Sequence, residues 1–341
     1  MFSFANLSIP VIQAPMAGGI TTPALVSGVS NAGGLGSFGF AYSSPQMIHQ
    51  DLNCVKTLTQ GPINANFFIF QNVALPDLKT VKMAIEPLQE LAPDIDFVVP
   101  KPPFCPDLET QLEPVWQLQP AVLSFHFGIP PEWVMQRARA LSIAIGITAT
   151  SLEEALKIEQ AGASFIVAQG IEAGGHRGTF EIDSPDEPLS TFDLLHQLGK
   201  RCTIPVVAAG GMMNGRDIRK ALDLGASAVQ MGSAFLCCPE SGASSEYKAL
   251  LLDENPRPSI FTKGFSGRWA RGIENMFTRH MDAKSTLPFP IQNTLTGQLR
   301  QAAARSHNAE HQSLWAGSAF YKARTFKVGE LMKALQIELE S

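Results

Sequence analysis

Phe165-Ile166-Val167-Ala168-Gln169 runs directly into Gly170-Ile171-Glu172-Ala173-Gly174-Gly175-His176-Arg177-Gly178. The first stretch is apolar and does not alternate until its terminal Gln. Such a run implies a strand buried on both faces, as in a parallel sheet. The second stretch is a glycine-rich loop, where backbone can approach a ligand closely or take a positive φ. It presents His176, and imidazole is the side chain whose ordinary pKa suits proton transfer near neutral pH. The fold turns on how often this unit recurs.

Seven further runs have the same character: Val11–Met16, Leu35–Phe40, Ile63–Phe70, Ala121–Phe127, Ser142–Ile147, Pro205–Ala209 and Ala228–Met231. Helical stretches with good starts lie between them. Thr150-Ser151 precedes Leu152–Ala161, with Glu153 and Glu154 in its first turn. Asn214-Gly215 precedes Arg216–Leu224, and Gly225 follows as a C-cap. Eight strand–helix alternations predict an α/β fold, the TIM (β/α)8 barrel. Two stretches do not fit. A Pro-rich insertion covers about 71–119, and Pro239–Ser341 follows the eighth strand. The expected division is a barrel over 1–238 and a mostly helical subdomain over 239–341 that covers the barrel mouth.

Composition narrows the function classes. Only 17% of the 341 residues are charged, against about 25% in typical domains. Mean hydropathy is +0.05, and no run approaches the roughly 20 apolar residues of a membrane span. A net charge of −5 argues against nucleic acid as a partner. Five cysteines without a framework spacing suit a reducing compartment. With no Lys or Arg before Lys56, a cytoplasmic protein is expected. Apolar helices in Pro239–Ser341 would serve either a homodimer or the core.

Barrel active sites lie at the C-terminal ends of the strands. After strand seven comes Ala208-Ala209-Gly210-Gly211-Met212, and after strand eight Gln230-Met231-Gly232-Ser233. Loops at these two positions often bind phosphate through backbone N–H groups. Gly210, Gly211, Gly232 and Ser233 would supply them. Gln13-Ala14-Pro15-Met16 after strand one offers an apolar face for a flat ring. Asn66 inside strand three wants an amide-matching partner. His126, between Phe125 and Phe127 at the end of strand four, reads equally as a core histidine and as an active-site group.

Two tempting motifs fail their context. Gly34-Leu35-Gly36-Ser37-Phe38-Gly39 matches GxGxxG but overlaps a strand instead of opening a helix. His307-Asn308-Ala309-Glu310-His311 matches HxxEH but lies outside the barrel, and reads as a solvated polar segment.

Taken together, the chain resembles the nitronate monooxygenases, formerly called 2-nitropropane dioxygenases. The resemblance runs from Gln13 to about Ala323. It is carried by Gln13-Ala14-Pro15-Met16, Ser124-Phe125-His126-Phe127-Gly128, Glu172–Gly178, Ala208–Gly211 and Gln230-Met231-Gly232. In the tail it is carried by Phe265-Ser266-Gly267-Arg268, Ala270-Arg271-Gly272 and Leu314-Trp315-Ala316-Gly317. Trp269 stands where many relatives have Pro. The resemblance implies an FMN-dependent barrel enzyme that oxidises alkyl nitronates with O2 to a carbonyl compound and nitrite, propionate-3-nitronate among them. It implies that Ala14, Pro15, Met16, Asn66, Gln169, Gly174 and Gly175 meet the flavin, that Gly210, Gly211, Gly232 and Ser233 hold its phosphate, and that Gln230 and Met231 also bind the cofactor. His176 carries over as the catalytic histidine, with His126 in a secondary role. No metal is implied. The alternative is an FMN-dependent NAD(P)H-linked reductase of the enoyl-[acyl-carrier-protein] or quinone type, which shares the Glu-Ala-Gly-Gly-His and Ala-Ala-Gly-Gly motifs. The tail motifs favour the nitronate enzymes.

Overall fold

The computed structural model describes residues 2–182 and 186–341. Its strands, in chain order, are β1 (Val11–Gln13), β2 (Gly36–Gly39), β3 (Ile63–Phe68), β4 (Val122–His126), β5 (Ala144–Ala149), β6 (Phe165–Gln169), β7 (Gly175–His176), β8 (Val206–Ala209), β9 (Ala228–Met231), β10 (Ser259–Thr262) and β11 (Ala270–Ile273). Eight of them form one parallel sheet in the order β1-β9-β8-β6-β5-β4-β3-β2. An Ile12–Leu35 bridge joins β1 to β2 and closes the ring. The Gln13 N–H donates to Leu35 O at 3.0 Å and the Leu35 N–H to Val11 O at 2.9 Å. This is the TIM (β/α)8 barrel that the eight apolar runs predict.

The strands explain where the site lies. Side chains alternate across a strand, so every second residue points into the barrel. On β6, Phe165 and Val167 join the inner apolar cluster with Ile12, Val122, Val207 and Ala228, while Ile166 and Ala168 pack outward under the helices. Phe2, Phe4 and Leu7 pack against the base of that cluster. Toward the C-terminal ends the inward positions become polar: Ser124 and His126 follow Val122, Gln169 follows Val167, and Gln230 follows Ala228. Buried amides and hydroxyls in a barrel must find partners, so this gradient confines chemistry to the mouth.

The helix starts are as expected. Ser151 Oγ accepts from the Glu154 N–H at 3.2 Å and Asn214 Oδ1 from the Asp217 N–H at 2.9 Å. Such caps contribute about 1 kcal/mol each. Strand five is displaced by two residues from its expected place, because Ser142 takes a left-handed φ of 57° and belongs to the preceding turn.

The apolar cores divide differently from the expected break at residue 238. Helix Leu108–Leu118 buries Leu112, Val115 and Trp116 in the main core, so only 71–107 of the Pro-rich stretch departs from the barrel. The helix Val328–Glu340 also returns to that core, through Val328, Leu331, Met332 and Leu335. It packs on Gly215–Asp223 and Pro23–Asn31 and takes the place of the eighth barrel helix. A second core joins Val81, Ala84, Leu88 and Phe97 to Phe265, Phe277, Leu287, Ile291 and Leu299. The layer over the mouth is therefore shared between the insertion and the tail. It includes strands too: β10 pairs antiparallel with β11, and β11 with β7.

Candidate active site

The glycine loops after β6, β8 and β9 meet the loop after β1. The Ala14 N–H donates to Met231 O at 2.8 Å. A Cβ on Gly232 would lie 3.5 Å from Ala14 and 3.9 Å from Met16 Sδ. Ser233 Oγ accepts from the Gly317 N–H at 2.9 Å, and the Ser318 N–H donates to Glu172 O at 2.9 Å, so the tail segment lies against the same loops. Thr191 braces the far side: its N–H donates to Glu172 Oε2, and its hydroxyl lies within 3.2 Å of Ala209 O and Gly210 O. Two glycines have no room for a side chain. A Cβ on Gly210, whose φ is +122°, would come within 2.9 Å of Ala173 N, and one on Gly174 within 2.5 Å of Gly317 N. Among the described residues, the N–H groups of Gly210, Gly211 and Gly232 donate to no protein acceptor. Closely packed glycine backbone with spare donors fits a phosphate monoester.

His176 sits on β7, which is held by β11 through the pairs Ala270–His176 and Arg271–Gly175. Its carbonyl accepts from Gln169 Nε2 at 3.0 Å and from His126 Nε2 at 3.1 Å. Gln169 Oε1 accepts from the Gly178 N–H at 2.8 Å. His176 Nε2 lies 2.9 Å from Ser266 Oγ. Around the ring stand Phe68, Phe127, Phe289 and Trp315, with centroids 5.4–6.1 Å away. Asn66 has found its partner, donating from Nδ2 to Ser124 Oγ at 2.9 Å.

Burial pushes both His126 and His176 down to about 3, with the Arg268 guanidinium adding to the effect in each case. Both rings are therefore neutral at physiological pH. Since its partner is a carbonyl, His126 must carry its proton on Nε2. Arg268 is 3% exposed, lies 3.9 Å over the Phe127 ring, and is pulled down to about 10 by burial. Arg300 also bears electrostatically on His176 and on Tyr42. Its Nε is buried and has no hydrogen-bond partner. Tyr42 stacks edge-on to Phe68 yet keeps 39% of its surface accessible, as a cavity wall would. Burial raises its phenol well above the ordinary range. The arrangement offers an anion a neutral imidazole, aromatic walls and the positive potential of Arg268 and Arg300.

The structure thus brings His126, His176, Gln169 and Gly175 together, sets Gly232 beside Ala14 and Met16, packs Gly210 and Gly211 against the Glu172-Ala173 stretch, and lays Gly174 and Ser233 against Gly317. Tyr42, Thr191, Phe289 and Arg300 escape a sequence reading, because they lie far apart in the chain and in no glycine loop. Ser266 and Arg268 stand inside a tail motif but carry no chemical signal until folding sets them beside His176. The HxxEH residues do not assemble: His307 is exposed against Glu246, and no metal-binding cluster occurs among the described residues.

Comparison with known proteins agrees with this geometry. The family model for nitronate monooxygenase matches residues 2–338. A nitronate monooxygenase of Pseudomonas aeruginosa is 40% identical over 338 residues, covering 97% of this chain and 96% of its own. The crystal structure of a nitroalkane oxidase from Streptomyces ansochromogenes superposes with a TM-score of 0.92 at 36% identity, covering 98% of this chain and 97% of its own. FabK from Thermotoga maritima shares the fold, with a TM-score of 0.76 at 23% identity over 99% of this chain and 94% of its own. Whole-length agreement in sequence and fold leaves one conclusion: the chain belongs to the nitronate monooxygenase family.

Proposed function

We propose that this site binds FMN and oxidises alkyl nitronates with O2 to a carbonyl compound and nitrite. The observation that carries the reading is the pairing of two half-sites. One is a glycine cradle with unclaimed N–H donors. The other is a ring of aromatic side chains around a neutral imidazole, within the positive field of Arg300. Gly210, Gly211, Gly232 and Ser233 would hold the phosphate of the flavin. Ala14, Pro15, Met16, Asn66, Gln169, Gly174, Gly175, Gln230 and Met231 would line its remaining length. Bound there, the flavin supplies the means to accept electrons from the nitronate and to pass them to O2.

The chain itself does the rest. The nitronate is an anion, and Arg300, with Arg268 behind it, supplies the positive potential that draws it in. Phe68, Phe127, Phe289 and Trp315 exclude water, which strengthens every charge interaction inside the chamber. His126 and Gln169 pin the His176 main chain, so the imidazole meets its substrate in one orientation. The five thiols are all unpaired and, among the described residues, no helix is long and apolar enough to cross a membrane; the thiols support a cytoplasmic setting.

Replacing His176 by Asn tests the reading. The purified variant is expected to keep its flavin and to lose about 10²–10⁴ of nitroalkane turnover, the usual contribution of a positioned acid or base. Unchanged nitrite release from a nitroalkane would remove His176 from the chemistry. A wild-type protein that forms no nitrite from any nitronate under air, but oxidises NADH, would move the assignment to the reductases.

A further inference from the structure

We propose that Ser266 is a positioning residue that fixes the tautomer of His176, so that Nδ1 carries the lone pair and faces the substrate. The argument is one of proton supply. His176 Nε2 lies 2.9 Å from Ser266 Oγ, Ser266 Oγ lies 3.1 Å from Arg268 O, and the Arg268 N–H donates to Ser266 Oγ at 3.3 Å. A serine hydroxyl has one proton and two lone pairs. If that proton went to His176, the carbonyl of Arg268 would lose the side-chain donor it has here, in a residue that is 3% exposed. Leaving a buried acceptor unsatisfied carries its full desolvation penalty. The proton therefore goes to Arg268 O. Ser266 Oγ then accepts from His176 Nε2–H, and the bare nitrogen is Nδ1.

Nothing in the surroundings lets this circuit relax. Ser266 is 1% exposed. Its loop is closed by the Ser266 and Gly267 N–H groups, both donating to Lys263 O. Gly267 holds a φ of +85° where any Cβ would strike Leu287 O. The His176 ring is walled by Phe127, Phe289 and Trp315, and its carbonyl is held from two sides.

The tautomer has a chemical consequence, which rests on the function proposed above. A bare Nδ1 accepts a proton; it offers no hydrogen bond to a nitronate oxygen. It is suited to a neutral nitroalkane. There the α-C–H bond breaks, its proton forms an Nδ1–H bond, and the electron pair moves onto the nitro oxygens; the nitronate's negative charge beside the ring then stabilises the imidazolium that burial alone disfavours. Ser266 thereby serves the one step that a neutral nitroalkane needs and a preformed nitronate does not.

Two readouts test this. Nitrogen-15 NMR of histidine-labelled holoenzyme, with the His176 signals identified by their absence in His176→Asn, is expected to show the Nε2–H tautomer in the wild type. In Ser266→Ala that single tautomer is lost, and the ratio of kcat for nitroethane to kcat for ethyl nitronate falls at least about tenfold, a fraction of what a general base contributes. Ser266→Thr, which keeps a hydroxyl, restores both. An Nδ1–H tautomer in the wild type overturns the proposal whether or not the alanine variant folds, and so does an unchanged ratio in a folded Ser266→Ala. If the wild type oxidises neither compound, the functional reading fails while the tautomer is still decided by the spectrum.

Discussion

Two neutral imidazoles buried side by side should make the protein acid-sensitive in a defined window. His126 and His176 are held at about 3 by burial, against an ordinary value of 6.5. In the unfolded chain both take up a proton as the pH falls through 6.5; in the folded chain neither does until about 3. The unfolded state binds more protons between these values, so stability is fully present above pH 6.5 and declines as the pH falls. At pH 5 the gap is 1.5 units per ring, or about 2 kcal/mol at roughly 1.4 kcal/mol per unit. Both rings are only part-buried by accessible surface and keep some of their hydration, which reduces the figure to about 1 kcal/mol each. His126→Gln removes one titrating group while its amide can still donate to the His176 carbonyl. Urea unfolding at pH 7.5 and pH 5.0, with flavin saturating, measures the loss in each protein. The variant is expected to lose about 1 kcal/mol less than the wild type over this interval. An equal or greater loss would refute a neutral, buried His126.

Other consequences can be checked alongside. Gly174→Ala places a Cβ 2.5 Å from Gly317 N and must push the tail off the cradle; flavin content after dialysis should fall well below that of the wild type, with the far-ultraviolet circular dichroism retained. Arg300→Met removes a guanidinium whose charge reaches His176 and should raise the KM for a nitronate anion about tenfold, roughly 1.4 kcal/mol of lost attraction, with a smaller change in kcat. Leu331 is fully buried in the main core from the C-terminal helix, so Leu331→Ala should cost about 2–5 kcal/mol in urea unfolding; a loss under 0.5 kcal/mol would return that helix to the periphery.

The barrel was legible because a strand buried on both faces leaves an unmistakable trace: runs such as Ile145–Ile147 and Phe165–Ala168 carry no polar interruption. The glycine loops were legible as loops because Gly174-Gly175, Gly210-Gly211 and Gly232 follow directly on the apolar runs of strands six, seven and eight. The cap over the mouth was not. Its core joins Val81 and Leu88 to Phe277 and Ile291, nearly 200 residues apart, and no local period records such a pairing. The C-terminal helix was misplaced for the same reason, since an amphipathic helix does not state which apolar surface it will cover. Ser266 shows the limit at the site. As a letter it is one more serine, and it gains a role only when β11 registers against β7 and sets Ser266 Oγ 2.9 Å from the His176 ring.

The central claim is that this barrel holds a flavin which a nitronate reduces. Anaerobic mixing of the purified protein with ethyl nitronate and, separately, with NADH, followed in the visible flavin band, tests it most directly. The account predicts a yellow protein whose band is lost rapidly with the nitronate and only slowly with NADH. A colourless protein, or one bleached by NADH and untouched by the nitronate, would contradict it.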